Sequence, residues 1–318
     1  MFKRLALARV RALATVTFLV AWIPHGAPAQ HAPMRIAFPS GMNGQIVVTM
    51  EKADIAQRLG LNAQFASFQY GPPMMEALAA GSIDAVVTSL MPVTAYAAKI
   101  PGDVKIVANL GHSSHSLTVA KDSPIATAAD LAGRKLGVSF GSDSHLDTLV
   151  WLKEVALFDK VELVNVAPFE LATALANASV DAIVIRQPQV LRLQQQVGAR
   201  VIHTWPFRFV SIVKTKFIAA RPDALPKYLQ ALRESLLYVA QHHEQTAKWF
   251  GEYLRVDPKI VETVSNEDVN YTATKLSDID ISVSESARDI IAKWIDDAYT
   301  HKMIRKKIDL SELFHRAQ

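Results

Sequence analysis

Apolar and polar positions alternate along this chain in two periods, and the periods take turns. "MRIAFP" at 34–39 has period two and predicts a strand, followed by the loop "SGMNG" and a helix over 45–61 stopped at Leu59-Gly60. "NAQFASFQYG" again has period two. "PPMMEALAAG" predicts a helix opened by Pro and closed by Gly81. "IDAVVTS" is a continuous apolar run, as in strands buried on both faces. A helix "PVTAYAAKI" and a strand "VKIVANL" complete the first series. The alternation then restarts. "SPIATAADLAG" is a turn and short helix, "RKLGVSF" a strand, "GSDSH" a loop and "LDTLVWLKEVAL" a helix. "VELVNVA" and "VDAIVI" are strands around the helix "FELATALANA", and "PQVLRLQQQV" is another helix. "ARVIHTW" and "FVSIVKTKFIAA" predict strands. Amphipathic helices are expected over 224–251, about 257–264 and about 285–303, with a loose polar tail after Lys302.

Strands alternating with helices predict an α/β fold with largely parallel sheets and helices on both faces. A near-repeat sharpens this. "LAAGSIDAVV" (78–87) returns as "LANASVDAIV" (175–184), with six identities in ten positions. Each copy ends a helix, turns and begins a buried strand. The pair marks corresponding elements of two similar lobes, and Asp84 and Asp181 read as turn residues.

Composition changes the picture at the N-terminus. Lys3, Arg4, Arg9 and Arg11 precede an apolar run over about 12–23, and "GAPAQ" carries an A-x-A pattern ending at Ala29. That is the layout of a secretory signal peptide over 1–29, cleaved after about Ala29. The run is shorter than the ~20 residues a bilayer span needs. The whole chain has 34 Lys+Arg and 30 Asp+Glu, and removing the leader's four basic residues leaves 30 against 30. Net charge therefore gives no argument for a nucleic-acid partner. The chain has no Cys, so disulfides and lipidation at a leader-proximal Cys are excluded. An exported protein of this kind is expected in a bacterial periplasm as a soluble monomer.

In open α/β sheets ligands bind beyond the carboxyl ends of the strands. The candidates therefore follow the strands: Gly41, Met42 and Asn43 after the first, Tyr70 after the second, Ser89 and Met91 after the first repeat copy, His112 and Ser113 after "VKIVANL". In the second series they are Gly141, Ser142, Ser144 and His145, then Arg186 and Gln187. "GSDSH" opens a helix whose free N–H groups suit an oxyanion. Equally, Ser142 or Asp143 caps its own helix, and the Asp143 carboxylate competes with an incoming anion. Arg186 offers a fork for a carboxylate or sulfonate, or pairs with an acid between lobes. Tyr70 either stacks on a ligand or is a half-buried strand aromatic. His112, His115 and His145 form no zinc-ligand pattern, and no P-loop, G-x-G-x-x-G or G-x-S-x-G is present, so no metal, cofactor or Ser nucleophile is expected.

"GPPMMEALAAGSIDAVVTS", "DSPIATAADLAGRKLGVSFGSDSH" and "ANASVDAIVIRQPQ" together resemble the solute-binding proteins of ABC importers for aliphatic sulfonates, taurine and nitrate. The resemblance covers about 34–265 and implies a two-lobed type II periplasmic-binding fold with two crossovers. It implies lobe one over 34–117 plus 214–318 and lobe two over 118–213. It further implies anion contacts at Ser89, Ser142, Ser144 and His145, with Tyr70 and the 41–43 loop lining the cleft, and an inner-membrane permease as partner. Relatives often carry Trp-Asp-Pro after the second repeat copy. Here the stretch is "IRQP", which favours a ligand of more negative charge or with a second acidic group. Cys-dependent enzymes of the same superfamily find no counterpart in a Cys-free chain. The expected function is capture of a small organic anion between the lobes, without catalysis. A Cys-free hydrolase or lyase using His145 or His112 as base, and a periplasmic sensor, stand as alternatives.

Overall fold

The computed structural model describes residues 32–315; the leader expected over 1–29 lies outside them. Eight strands run in chain order: β1 (Met34–Pro39), β2 (Ala63–Phe68), β3 (Ala85–Ser89), β4 (Val104–Val119), β5 (Lys135–Val138), β6 (Glu162–Asn165), β7 (Ala182–Arg186) and β8 (Arg200–Lys214). They form one sheet in the order β2-β1-β3-β8-β4-β7-β5-β6. The two flanks, β2-β1-β3 and β7-β5-β6, are internally parallel. The long central strands β4 and β8 run antiparallel to each other and to their outer neighbours, and they carry the chain between the two lobes.

Burial on both faces explains the continuous apolar runs. Ala85 and Val87 of β3 enter one core while Val86 enters the opposite one. In the other lobe Ala182 and Val184 of β7 face one core, and Ile183 and Ile185 the other. Helices cover all four faces. Those of the first lobe are α1 (Gly44–Lys52), α2 (Ile55–Arg58), α3 (Gly71–Ala79) and α4 (Leu90–Lys99). The second lobe has α5 (Asp143–Glu154), α6 (Leu171–Ala176) and α7 (Gln189–Val197). The chain closes with α8 (Thr215–Ala220), α9 (Ala224–Gln241), α10 (His243–Leu254), α11 (Pro258–Ser265), α12 (Glu285–Thr300) and α13 (Leu310–Leu313).

The repeat is structural. The Asp84 N–H donates to the Arg35 carbonyl at 2.9 Å, and the Asp84 carboxylate accepts from the Arg35 N–H at 2.9 Å. In the second lobe the Asp181 N–H donates to Lys135 at 2.9 Å and its carboxylate accepts from the Lys135 N–H at 2.8 Å. Each aspartate thus pins the turn before its strand to the start of the neighbouring parallel strand. Cα pairing follows suit, Ile36 with Ala85 and Leu136 with Ala182.

Five expectations are corrected. "GHSSHS", the small polar stretch after "VKIVANL" expected as a strand-end loop, is part of β4, which pairs with β8 from Val104 to Val119 and absorbs register shifts near Ala108 and Gly111. Gly111 sits at φ 115°, and a Cβ there would lie 2.2 Å from the Asp268 carboxylate. The strand expected over 209–220 stops at Lys214, and 215–220 is α8. Pro206 does not interrupt β8, because β3 pairs only with Phe209–Val213 and leaves that flank of Pro206 open. The helices expected over 45–61 and 224–251 each break in two, at Asp54 (φ 51°) and at His242. The tail is not loose: Ile304, Leu313 and Phe314 are buried in the first-lobe core, and Phe314 bridges to Ile106.

Candidate functional site

A cleft of about 560 Å³ opens beyond the carboxyl ends of the parallel strands of both flanks. Gly41, Gln69, Tyr70 and Pro92 supply the first-lobe wall; Phe140, Ser142, Ser144, Asn165, Phe169, Arg186, Gln187 and Arg192 supply part of the second. The two first-lobe strand ends are tied together, since the Ser40 hydroxyl donates to the Gln69 carbonyl at 2.7 Å.

Of the residues expected at the site, Gly41, Tyr70, Gly141, Ser142, Ser144, Arg186 and Gln187 line this cleft. Met42, His112 and Ser113 line instead a separate small cavity of about 30 Å³ beneath α9 and α11. Asn43, Ser89, Met91 and His145 line neither. Asn43 is fully buried at the start of α1 with no partner for either amide atom.

Ser89 and Met91 are engaged by Asp143 instead of lining the cleft. Its carboxylate is 1 % exposed and accepts from the Ser89 hydroxyl at 2.5 Å and from the Met91 N–H at 3.1 Å. The Arg186 guanidinium donates to the same carboxylate at 3.1 Å. An internal anion from the start of α5 therefore occupies the amino end of α4, where a helix welcomes negative charge. Arg186 thus pairs with an acid of its own lobe, and it is that acid, through Ser89 and Met91, that reaches across to the first lobe. The guanidinium lies over the Phe207 ring, 4.8 Å from its centroid.

The "GSDSH" loop is similarly committed. Ser142 caps α5, accepting from the His145 N–H at 3.3 Å and donating to the Ser139 carbonyl at 2.6 Å. The Phe140 N–H goes to Asn165 at 3.0 Å and the Gly141 N–H to His145 Nδ1 at 3.3 Å. The His145 ring stacks on Phe140 with centroids 4.3 Å apart, and burial pulls its pKa down to about 4. The ring is thus neutral near pH 7, and its Nδ1 is the lone-pair acceptor that holds the loop. Gln187 is engaged too, donating to Glu267 at 3.0 Å. Behind the cleft, the buried His115 lies 3.1 Å from Asp147 and is flanked by Trp205 and Phe207. Among the described residues no group of three or more His, Asp or Glu converges on a metal position.

Sequence reasoning passed over Phe140, Asn165, Phe169 and Arg192. Phe140 and Phe169 are 45 % and 63 % exposed. Asn165 ends the short strand β6 and Phe169 follows it, and β6 has the same edge place in the second flank that β2 has in the first. Extending the strand-end argument to β6 would have found both.

A family model described as NMT1/THI5 like matches residues 69–246, more than half of the chain. A Bacillus subtilis protein described as a candidate aliphatic sulfonates-binding protein is 26 % identical over 315 residues, covering 95 % of this chain and 92 % of that protein. The periplasmic aliphatic sulphonate binding protein SsuA of Escherichia coli superposes with TM-score 0.75 at 20 % identity, covering 90 % of this chain and 94 % of SsuA. The alkanesulfonate-binding protein SsuA of Xanthomonas axonopodis pv. citri, solved bound to MOPS, gives TM-score 0.75 at 19 % identity, covering 91 % of this chain and all of that one. These structures share the two-lobed α/β fold.

Proposed function

The chain belongs to the NMT1/THI5-like family, and from that premise we propose that it is a periplasmic solute-binding protein of an ABC importer, taking a small sulfonate-like organic anion into the interlobe cleft. One observation carries the reading: the cleft wall contains two arginines and no carboxylate. The names of its relatives, which concern sulfonates, support the same ligand class.

The lobes that close are 34–117 with 214–318, and 118–213. The boundary at 117/118 coincides with a register shift between β4 and β8 at Leu117/Thr118. A ligand favours the closed form only through contacts with both lobes; Tyr70 and Gly41 on one side and Ser144 and Arg192 on the other would supply them. Arg186, balanced by Asp143, places no demand for a second acidic group on the ligand. The closed form would be presented to an inner-membrane permease, and the leader would be removed on export after about Ala29. The proposed role is binding without turnover, and a Cys-free chain cannot supply a thiol nucleophile.

A thermal-shift screen over sulfonates, carboxylates, nitrate, sugars and amines tests this. A sulfonate at about 100 times its Kd adds roughly 2.7 kcal/mol of stability and a clear rise in Tm. A rise with neutral or cationic solutes and none with any anion would refute the reading. Mass spectrometry of the recovered ligand should show it unchanged.

A further inference from the structure

The cleft's two arginines are not equivalent. Arg186 has its carboxylate at 3.1 Å. Arg192, in the first turn of α7, forms no ion pair among the described residues, and its Nε is buried with no acceptor. Gln189 lies three residues earlier, on the same face of the helix. It also lines the cleft, and its Oε1 is likewise buried without a donor. The wall contains no acid, so its uncompensated charge is one positive charge, carried by Arg192.

The opposite requirement comes from the apolar wall. Phe140 and Phe169 both line the cleft and are 45 % and 63 % exposed, so each offers apolar ring surface to a ligand. His145 stacks on one face of Phe140, fixing that ring as a platform. A cleft of about 560 Å³ is of the size that encloses drug-like organic molecules, roughly 300–1,000 Å³. Nitrate or a one-carbon sulfonate would leave most of it wet.

Resting on the anion-binding reading above, we propose that Arg192 is the charge partner of the ligand and that Phe140 and Phe169 hold its body, so that the preferred ligands are aromatic monoanions of the arenesulfonate type rather than short alkylsulfonates. Gln189 Oε1 adds a contact for a ligand hydroxyl or amine. The Asp143 carboxylate keeps Arg186 and the amino end of α4 out of ligand binding.

Calorimetric titration of the full-length mature protein with benzenesulfonate and methanesulfonate tests this. Benzenesulfonate should bind at least tenfold tighter. Arg192→Gln should weaken benzenesulfonate at least tenfold, whereas Arg192→Lys, which keeps the charge, should retain most of the affinity. Phe169→Ala, at an exposed position that folding does not need, should cost benzenesulfonate several-fold and leave methanesulfonate unchanged. Circular dichroism establishes that each variant is folded. If sulfonates bind but Arg192→Gln stays within threefold of wild type, or methanesulfonate binds as tightly as benzenesulfonate, the inference fails while the anion-binding reading stands. If the wild type binds neither sulfonate nor any other anion, both fail.

Discussion

Truncating Asp143 should reveal how much of the interlobe contact rests on one carboxylate. Asp143→Ala removes an acceptor that is 1 % exposed and serves Ser89, Met91 and Arg186. Hydrogen bonds to a charged group contribute about 1.5–3 kcal/mol each, non-additively. Stripping one partner from a buried ion pair costs about 3–5 kcal/mol because the other charge is left unmatched. The Arg186 side chain keeps 26 % of its exposure, so water relieves part of that cost. A loss of about 3 kcal/mol is the expected outcome, and at a little under ~2 °C per kcal/mol for a chain of this size Tm falls by about 5 °C. Asp143→Asn keeps the shape and one acceptor and should lose roughly half as much. The assay is urea unfolding together with a thermal melt, and Asp143→Ala in an Arg186→Ala background completes a double-mutant cycle. The cycle should return a coupling above about 1 kcal/mol. An Asp143→Ala protein within 1 kcal/mol of wild type, or a coupling of zero, would refute the account of Asp143 as the internal anion of this interface.

Three further outcomes are expected. His145 titrates at about 4 in the folded protein against about 6.5 unfolded, so the stability it contributes is present above pH 6.5 and is lost as pH falls toward 4. With the ring partly solvated this amounts to roughly 1–2 kcal/mol, and the stability gap between wild type and His145→Gln in denaturant titrations should shrink from pH 7 to pH 4.5; a gap that widens on acidification contradicts it. Gly71→Ala sets a Cβ 2.3 Å from Pro92 Cγ at the cleft rim, so it should destabilise the protein by about 1–3 kcal/mol and weaken ligand binding, whereas unchanged melting and affinity would show that the rim yields. Tyr228 and Ser211 are both fully buried and share a hydrogen bond of 2.8 Å; Tyr228→Phe leaves the serine hydroxyl alone and should cost about 1–2 kcal/mol in urea unfolding, and a neutral result would mean that Ser211 finds another partner.

The periodic parts of this fold were legible because burial on both faces writes itself into local composition. "IDAVVTS" and "VDAIVI" are apolar at consecutive positions since alternate residues feed opposite cores. The repeated Asp was legible as a turn residue, although its bonds to the Arg35 and Lys135 N–H groups involve strands 49 and 46 residues away. What stayed hidden depended on long-range partners. "GHSSHS" looks like a loop because it is small and polar, yet Ser114 and Ser116 are bonded by Glu267 and Thr204. The partner that neutralises Arg186 lies 43 residues upstream, and no local pattern pairs the two. Arg192 is one cation on an amphipathic helix, and nothing in its neighbours distinguishes it from a solvated one.

The two lobes also show where a duplicated plan acquires a direction. Asn43 lies eight residues beyond Arg35, as Asp143 lies beyond Lys135, and Ser89 and Arg186 each lie five residues beyond the repeated aspartate. One lobe thus carries Asn and Ser at the positions where the other carries Asp and Arg. Asp143 reaches across to Ser89 and is balanced by Arg186 within its own lobe, while Asn43 stays buried without a partner. The first-lobe wall of the cleft contributes Ser, Gly, Gln, Tyr and Pro but no charge, so both arginines stand on the second-lobe side. Whatever anion enters finds its counter-charge on that side alone. Unpaired charge is worth most where water is excluded, so on the proposed function Arg192 gains most when the neutral first-lobe wall closes over it. On that reading charge recognition falls to the second lobe, and substitutions in the Tyr70 wall should not alter which sign of charge is accepted.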